Sequence, residues 1–158
     1  YTGASFPTTP GAFQTAPGGG YDAFVSKFSF TSLIPFSHFN GGLKIDPDAG
    51  VFYLAGGFRL GAGGTIDPTT QSVTFSVGSY SVTLPPGSFV RYRTGYVYQK
   101  RVGGIFLRVF IKFTSAPGNY QLLANRTGGT LDSTTSPMPV TLIIGDNSGS
   151  TQMNATFD

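Results

Sequence analysis

The sequence predicts an all-β fold: an antiparallel β-sandwich of about ten strands, joined as meander hairpins and preceded by an extended N-terminal arm. Three observations predict it. Phe, Tyr, Val, Ile and Thr are plentiful, helix formers are scarce, and Glu is absent altogether. The 23 Gly and 11 Pro cluster between apolar blocks of strand length. No window carries a sustained apolar stripe at helical spacing. At 158 residues and 39% hydrophobic, the chain can bury a core of its own, and its apolar blocks exclude the disordered class.

The elements follow in order. Residues 1–38 read as the arm and 39–158 as the sandwich domain. The first 20 residues carry three Pro and five Gly, a composition that does not fold alone. Yet Phe6, Phe13, Phe24 and Phe28 are poor residues for a free linker. "YDAFVSKFSF" reads as a strand with Val25 on one face and Phe24 and Phe28 on the other. In the domain, "LKID" and "VFYL" flank the turn "DPDAG". In "SVTFSVGSYSVTL", Val73, Phe75 and Val77 share a face before Gly78-Ser79, a two-residue loop suited to a type II′ hairpin. "SFVRYR", a Thr94-Gly95 turn, "YVYQKRV", a Gly103-Gly104 turn and "IFLRVFIKFT" continue the meander. "NYQLLANRT", "PVTLIIG" and "STQMNATF" complete it, the last two joined by a turn at residues 146–149.

The strand around Val109 has two apolar faces. Ile105, Leu107, Val109, Ile111 and Phe113 line one; Phe106 and Phe110, interrupted by Arg108 and Lys112, line the other. Phe106 and Phe110 therefore form a candidate acceptor face, to be covered by a loop, the arm or another subunit.

The charge pattern narrows the partners. Six of the ten basic residues fall between Arg91 and Lys112, and the net charge is +3. A nucleic-acid surface is one reading. The alternation of charge with aromatics favours a solvated hairpin instead, so no nucleic-acid partner is expected. No apolar run approaches the ~20 residues of a membrane helix, so no span is expected. Without Cys there are no disulfides. A start at "YTGAS", with no initiator Met, predicts a processed or truncated product.

Catalytic chemistry is hard to assemble from this residue set. His38 is the one histidine, there is no Cys or Glu, and no Gly-x-Ser-x-Gly elbow marks a nucleophile. The expectation is a non-enzyme with no catalytic residue and no cofactor. Asp46 and Asp48 begin like a calcium loop, but the closing Glu is missing and Pro47 suits a plain turn; no metal site is expected. Asn125-Arg-Thr and Asn154-Ala-Thr match the N-glycosylation acceptor pattern. Of Tyr92, Tyr96 and Tyr98, which could stack on sugars, two are expected to pack inside.

"SFPTTPGAFQTAPGGGYDAFVSKF", Ser5 to Phe28, closely resembles a single copy of a bacterial β-propeller repeat. Such repeats occur in tandem in large secreted and surface proteins. The resemblance covers about one seventh of the chain and has no second copy here, so it implies no closed propeller. It implies an extracellular or cell-surface location and carries no catalytic residue. The remainder resembles uncharacterised secreted bacterial β domains with segments like "DAGVFYL" and "VTLIIGDNSG", which implies no activity.

Together these readings predict a non-enzymatic secreted structural protein, the subunit of an extracellular filament or surface assembly. Its arm, anchored by Phe6, Phe13, Phe24, Val25 and Phe28, is expected to donate a strand to the next subunit, giving a head-to-tail homopolymer. The rival expectation is a monomeric carbohydrate-binding or adhesive module of a cell-surface protein, with glycans as partners.

Overall fold

The computed structural model describes residues 32–132 and 135–158. Residues 1–31, with the arm positions Phe6, Phe13, Phe24, Val25 and Phe28, lie outside the described residues. Eleven strands follow in chain order: β1 (Ile34–Pro35), β2 (His38–Asp46), β3 (Val51–Arg59), β4 (Val73–Val77), β5 (Tyr80–Leu84), β6 (Val90–Tyr92), β7 (Gly95–Val102), β8 (Ile105–Phe113), β9 (Asn119–Thr127), β10 (Met138–Ile144) and β11 (Asn147–Phe157). Among the described residues there is no helix.

The all-β class stands, and its strands are joined into one sheet in the order β5-β4-β10-β11-β2-β3-β9-β8-β7-β6, with β1 beside β11. This sheet is strongly curled, like half of a barrel. Its two facing layers are parts of one continuous ladder, because β11 belongs to both. Residues Asn147 to Met153 pair with β10, and Asn154 to Phe157 pair with β2. A strand that changes partners along its length is a way to turn a sheet corner.

The sheet is mixed rather than wholly antiparallel. β11 runs parallel to β1 and to β2, and every other pairing is antiparallel. The reason is chain order. The direction of β11 is fixed by its hairpin with β10, and β2 is fixed by its hairpin with β3. No turn connects β11 to β2, so nothing forces them antiparallel.

Curling brings the inner faces together. Phe52 of β3 meets Phe75 of β4 at 6.1 Å between ring centroids and Tyr80 of β5 at 5.8 Å. Around this contact Leu43, Ile45, Leu54, Val109, Leu122, Val140, Leu142 and Met153 are buried. Their alternation along each strand with exposed neighbours is the period-2 pattern of a sheet with one buried face. Tight backbone approach at the bend explains the opposed pair Gly41 and Gly56. A Cβ on Gly41 would stand 2.7 Å from the Ala55 carbonyl oxygen, and one on Gly56 would collide with that of Asn40.

Several turns fall where the residues put them. β4 and β5 meet at Gly78-Ser79, with Gly78 at φ 57°, as the first central residue of a primed turn requires. The β2–β3 turn occupies Pro47 to Gly50, and the β7–β8 turn Gly103-Gly104. Two turns lie elsewhere than expected. The β6–β7 turn is Arg93-Thr94, with Gly95 already in β7. The β10–β11 turn is Gly145-Asp146 rather than 146–149, and Asn147 starts the strand. Asn147 is buried, and its side-chain amide donates to the Thr65 carbonyl at 2.7 Å, tying down the β3–β4 loop.

Among the described residues the sheet begins at Ile34, ahead of the change in texture near Phe39. The Ile34 and Phe36 amides donate to the carbonyls of Asp146 and Ser148, each at 2.6 Å. Phe36 then stacks on Phe58 with centroids 4.7 Å apart.

Candidate functional site

The site is built on the outward-facing residues of β11, β2, β3, β9 and β8. Pairing registers align them in rows across the sheet. One row runs Asn154, Gly42, Ala55, Leu123, Phe110. The next runs Thr156, Lys44, Tyr53, Asn125, Arg108. Together they line an open depression of about 780 Å³. Leu123 and Tyr53 are 38% and 54% exposed, while Phe110 is half-buried, so the three form a contiguous apolar patch.

The depression exists because its centre is small. Gly42 and Ala55 are direct partners, and a Cβ built on Gly42 meets nothing within 4 Å among the described residues. Gly42 also has no positive φ. Neither sterics nor backbone conformation requires glycine there, although glycine weakens a strand.

Two cations, Lys44 and Arg108, line the depression. Lys44 and Asp158 form an ion pair at 2.7 Å, both well exposed, and the hydrogen bond to Asp158 holds the Lys44 ammonium above its ordinary range. Arg108 makes no ion pair among the described residues. Beyond the depression, Lys112 lies over the Phe110 ring at 5.6 Å and Arg101 over Phe106 at 5.9 Å, cation–π contacts on the same face. Among the described residues no carboxylate lines the depression.

The structure therefore unites three residues singled out separately in the sequence. Phe110, Asn125 and Asn154 share one depression. Phe106 sits a row further out, outside it. The residues that sequence reasoning missed are Gly42, Lys44, Tyr53, Leu123 and Thr156. Strand alternation marks Tyr53 and Leu123 as outward-facing, but their meeting with Asn154 depends on the parallel β11–β2 pairing, which leaves no local signature.

Other candidates are placed as follows. Asp46 and Asp48 lie at the β2–β3 turn, where the Asp46 carboxylate accepts the Ala49 amide at 3.0 Å. Among the described residues no three metal-capable side chains cluster. His38 is exposed at the start of β2, paired in register with Arg59. Tyr96 and Tyr98 are buried and Tyr92 is exposed, the expected division. The basic run is dispersed rather than gathered. Arg91 lies over Tyr96 and Phe113 at 5.7 and 5.5 Å, whereas Arg108 points to the outer face.

The buried Arg126 has a structural task. Its guanidinium donates to the Gly50 carbonyl and lies 4.9 Å over the Tyr80 ring, joining the β2–β3 turn to β9 and β5. The nearby cleft lined by Val77, Leu131 and Met138 has a volume of about 10 Å³, too small for a ligand. Among the described residues no helix is long and apolar enough to cross a membrane.

Comparison with known proteins returns no matching family model, no matching curated protein and no matching solved structure. The functional reading rests on the site itself.

Proposed function

We propose that this chain is a non-enzymatic, extracellular or cell-surface module that binds an extended oligosaccharide across the outer face of its sheet. One observation carries the reading: an open depression lined by the apolar side chains of Tyr53, Leu123 and Phe110 together with the amides of Asn125 and Asn154. Aromatic and aliphatic surface suits the C–H faces of sugar rings, and side-chain amides both donate to and accept from hydroxyls. A shallow groove open along the sheet suits a chain better than a compact small molecule. The secreted location is part of this proposal and is motivated by the resemblance of residues 5–28 to a repeat of secreted proteins.

The test is calorimetric titration with neutral and acidic oligosaccharides, comparing the wild type with Tyr53→Ala. The variant should bind at least tenfold more weakly, about 1.4 kcal/mol, with an unchanged melting temperature. Absence of binding to every sugar tested would end this reading.

A second reading is the strand-exchanged homopolymer. The favouring observation is that β5 and β6 are the two ends of the strand order, so each offers an unpaired backbone edge among the described residues. Particle mass separates the two: the glycan module stays near 16.6 kDa, while the filament subunit elutes far above it or forms fibres.

A further inference from the structure

Resting on the glycan-binding reading, we infer that the bound chain is anionic, a carboxylate- or sulfate-bearing oligosaccharide whose acidic group is held by Arg108. The lining is rich in donors and poor in strong acceptors. Arg108 and Lys44 only donate, and Asn125, Asn154 and Thr156 each offer a proton. Among the described residues no Asp or Glu lines the depression, and the carboxylate that pairs with its lining, that of Asp158, is engaged by Lys44. A neutral sugar would leave the Arg108 charge unmatched, because Lys44 is already paired with Asp158; an anionic group matches it in sign.

Arg108 is the residue placed to do this. It is exposed, lies between Asn125 of β9 and Gln99 of β7 in register, and has no ion-pair partner among the described residues. Its planar fork suits bidentate contact with a carboxylate or sulfate. Lys44, three strands away, is engaged by Asp158 and supplies a weaker field. Gly42 completes the argument. Among the described residues nothing fills the space above Gly42, which leaves a ligand room to approach the backbone.

The experiment is titration of the full chain with four probes: a galacturonate hexamer, a heparin-derived hexasaccharide, xylohexaose and a single-stranded DNA oligonucleotide. At least one acidic sugar should bind tenfold or more tightly than xylohexaose and than the DNA; which of the two does so identifies carboxylate or sulfate. Arg108→Gln should remove that preference, while Lys100→Gln, the same charge change outside the depression, should leave it. Gly42→Val should abolish binding with no loss of melting temperature, which separates a filled site from a failed fold. Three results overturn the inference: equal affinity for xylohexaose, equal affinity for DNA, or a preference that survives Arg108→Gln. Binding confined to neutral sugars would end the inference and leave the glycan module standing. No binding to any sugar would end both.

Discussion

The inner and outer faces of β2, β3, β9 and β8 are one residue apart and serve opposite ends. On the inner face Leu43, Leu54, Ala124 and Val109 align across the four strands, all buried. One position along, Gly42, Ala55, Leu123 and Phe110 align on the outer face and bound an open depression. Both rows are apolar, yet among the described residues only the first is covered. The contrast is sharpest in the glycines. Gly56 faces inward, where an added Cβ strikes backbone; Gly42 faces outward, where it strikes nothing among the described residues. The same residue type is required by packing in one place and leaves room in the other. What an apolar residue or a glycine is for cannot be read from its identity; it depends on what lies opposite.

This comparison breaks first at large side chains. Phe52→Ala should cost about 3–5 kcal/mol, because it empties the contact with Phe75 and Tyr80. Its neighbour Tyr53→Ala should shift stability by no more than about 0.5 kcal/mol, since that side chain is exposed. Urea unfolding of both variants checks this, and similar losses would mean that the outer face is packed.

The glycines sharpen it further. Gly56→Ala should destabilise by about 1–3 kcal/mol, because the Asn40 carbonyl is backbone and must move. Gly42→Ala should be neutral or raise the melting temperature slightly, through reduced chain entropy in the unfolded state. A penalty at Gly42 equal to that at Gly56 would remove the claim that Gly42 is free of structural duty.

The smallest effect concerns alkaline pH. Burial raises the pKa values of Tyr80, Tyr96 and Tyr120 above the ordinary 10.0, only partly opposed at Tyr80 by Arg126 and at the others by Arg91. A raised folded-state pKa means that the folded chain holds its phenolic protons more tightly than the unfolded chain does. The stabilisation is complete below pH 10 and is lost as pH rises through the folded values. Thermal melts above pH 10 should therefore steepen their decline, and Tyr80→Phe should flatten it modestly. An identical slope in the variant would place Tyr80 in water rather than in the core.

Local patterns carried much of this fold. Alternation and turn chemistry locate the β4–β5 hairpin, the Pro47–Gly50 turn and the double face of β8, since each depends on neighbours in sequence. Asn147 shows where such reasoning fails. Within "GDNSG" it looks like a turn residue, but a distant carbonyl at Thr65 draws it into a buried strand end. The two layers read from the sequence as a sandwich are one ladder, because nothing local distinguishes a long β11 from two shorter strands. The candidate site was legible in fragments. Phe110 is visibly an outward apolar residue and Asn125 and Asn154 stand out as motifs, but no periodicity places Asn154 beside Gly42.

That parallel pairing has a consequence for synthesis. β2 is among the first strands of the sheet to leave the ribosome, and its hairpin with β3 forms at once. Its other edge is matched only when Asn154 to Phe157 have emerged, after nearly all the intervening sequence. Until then a nascent domain displays an open β2 backbone, a site where a second unfinished chain can pair. Closure is a late, long-range event of the kind that slows folding. The end of β11 is thus the fastening of the sheet, and the open edge that it closes is that of β2.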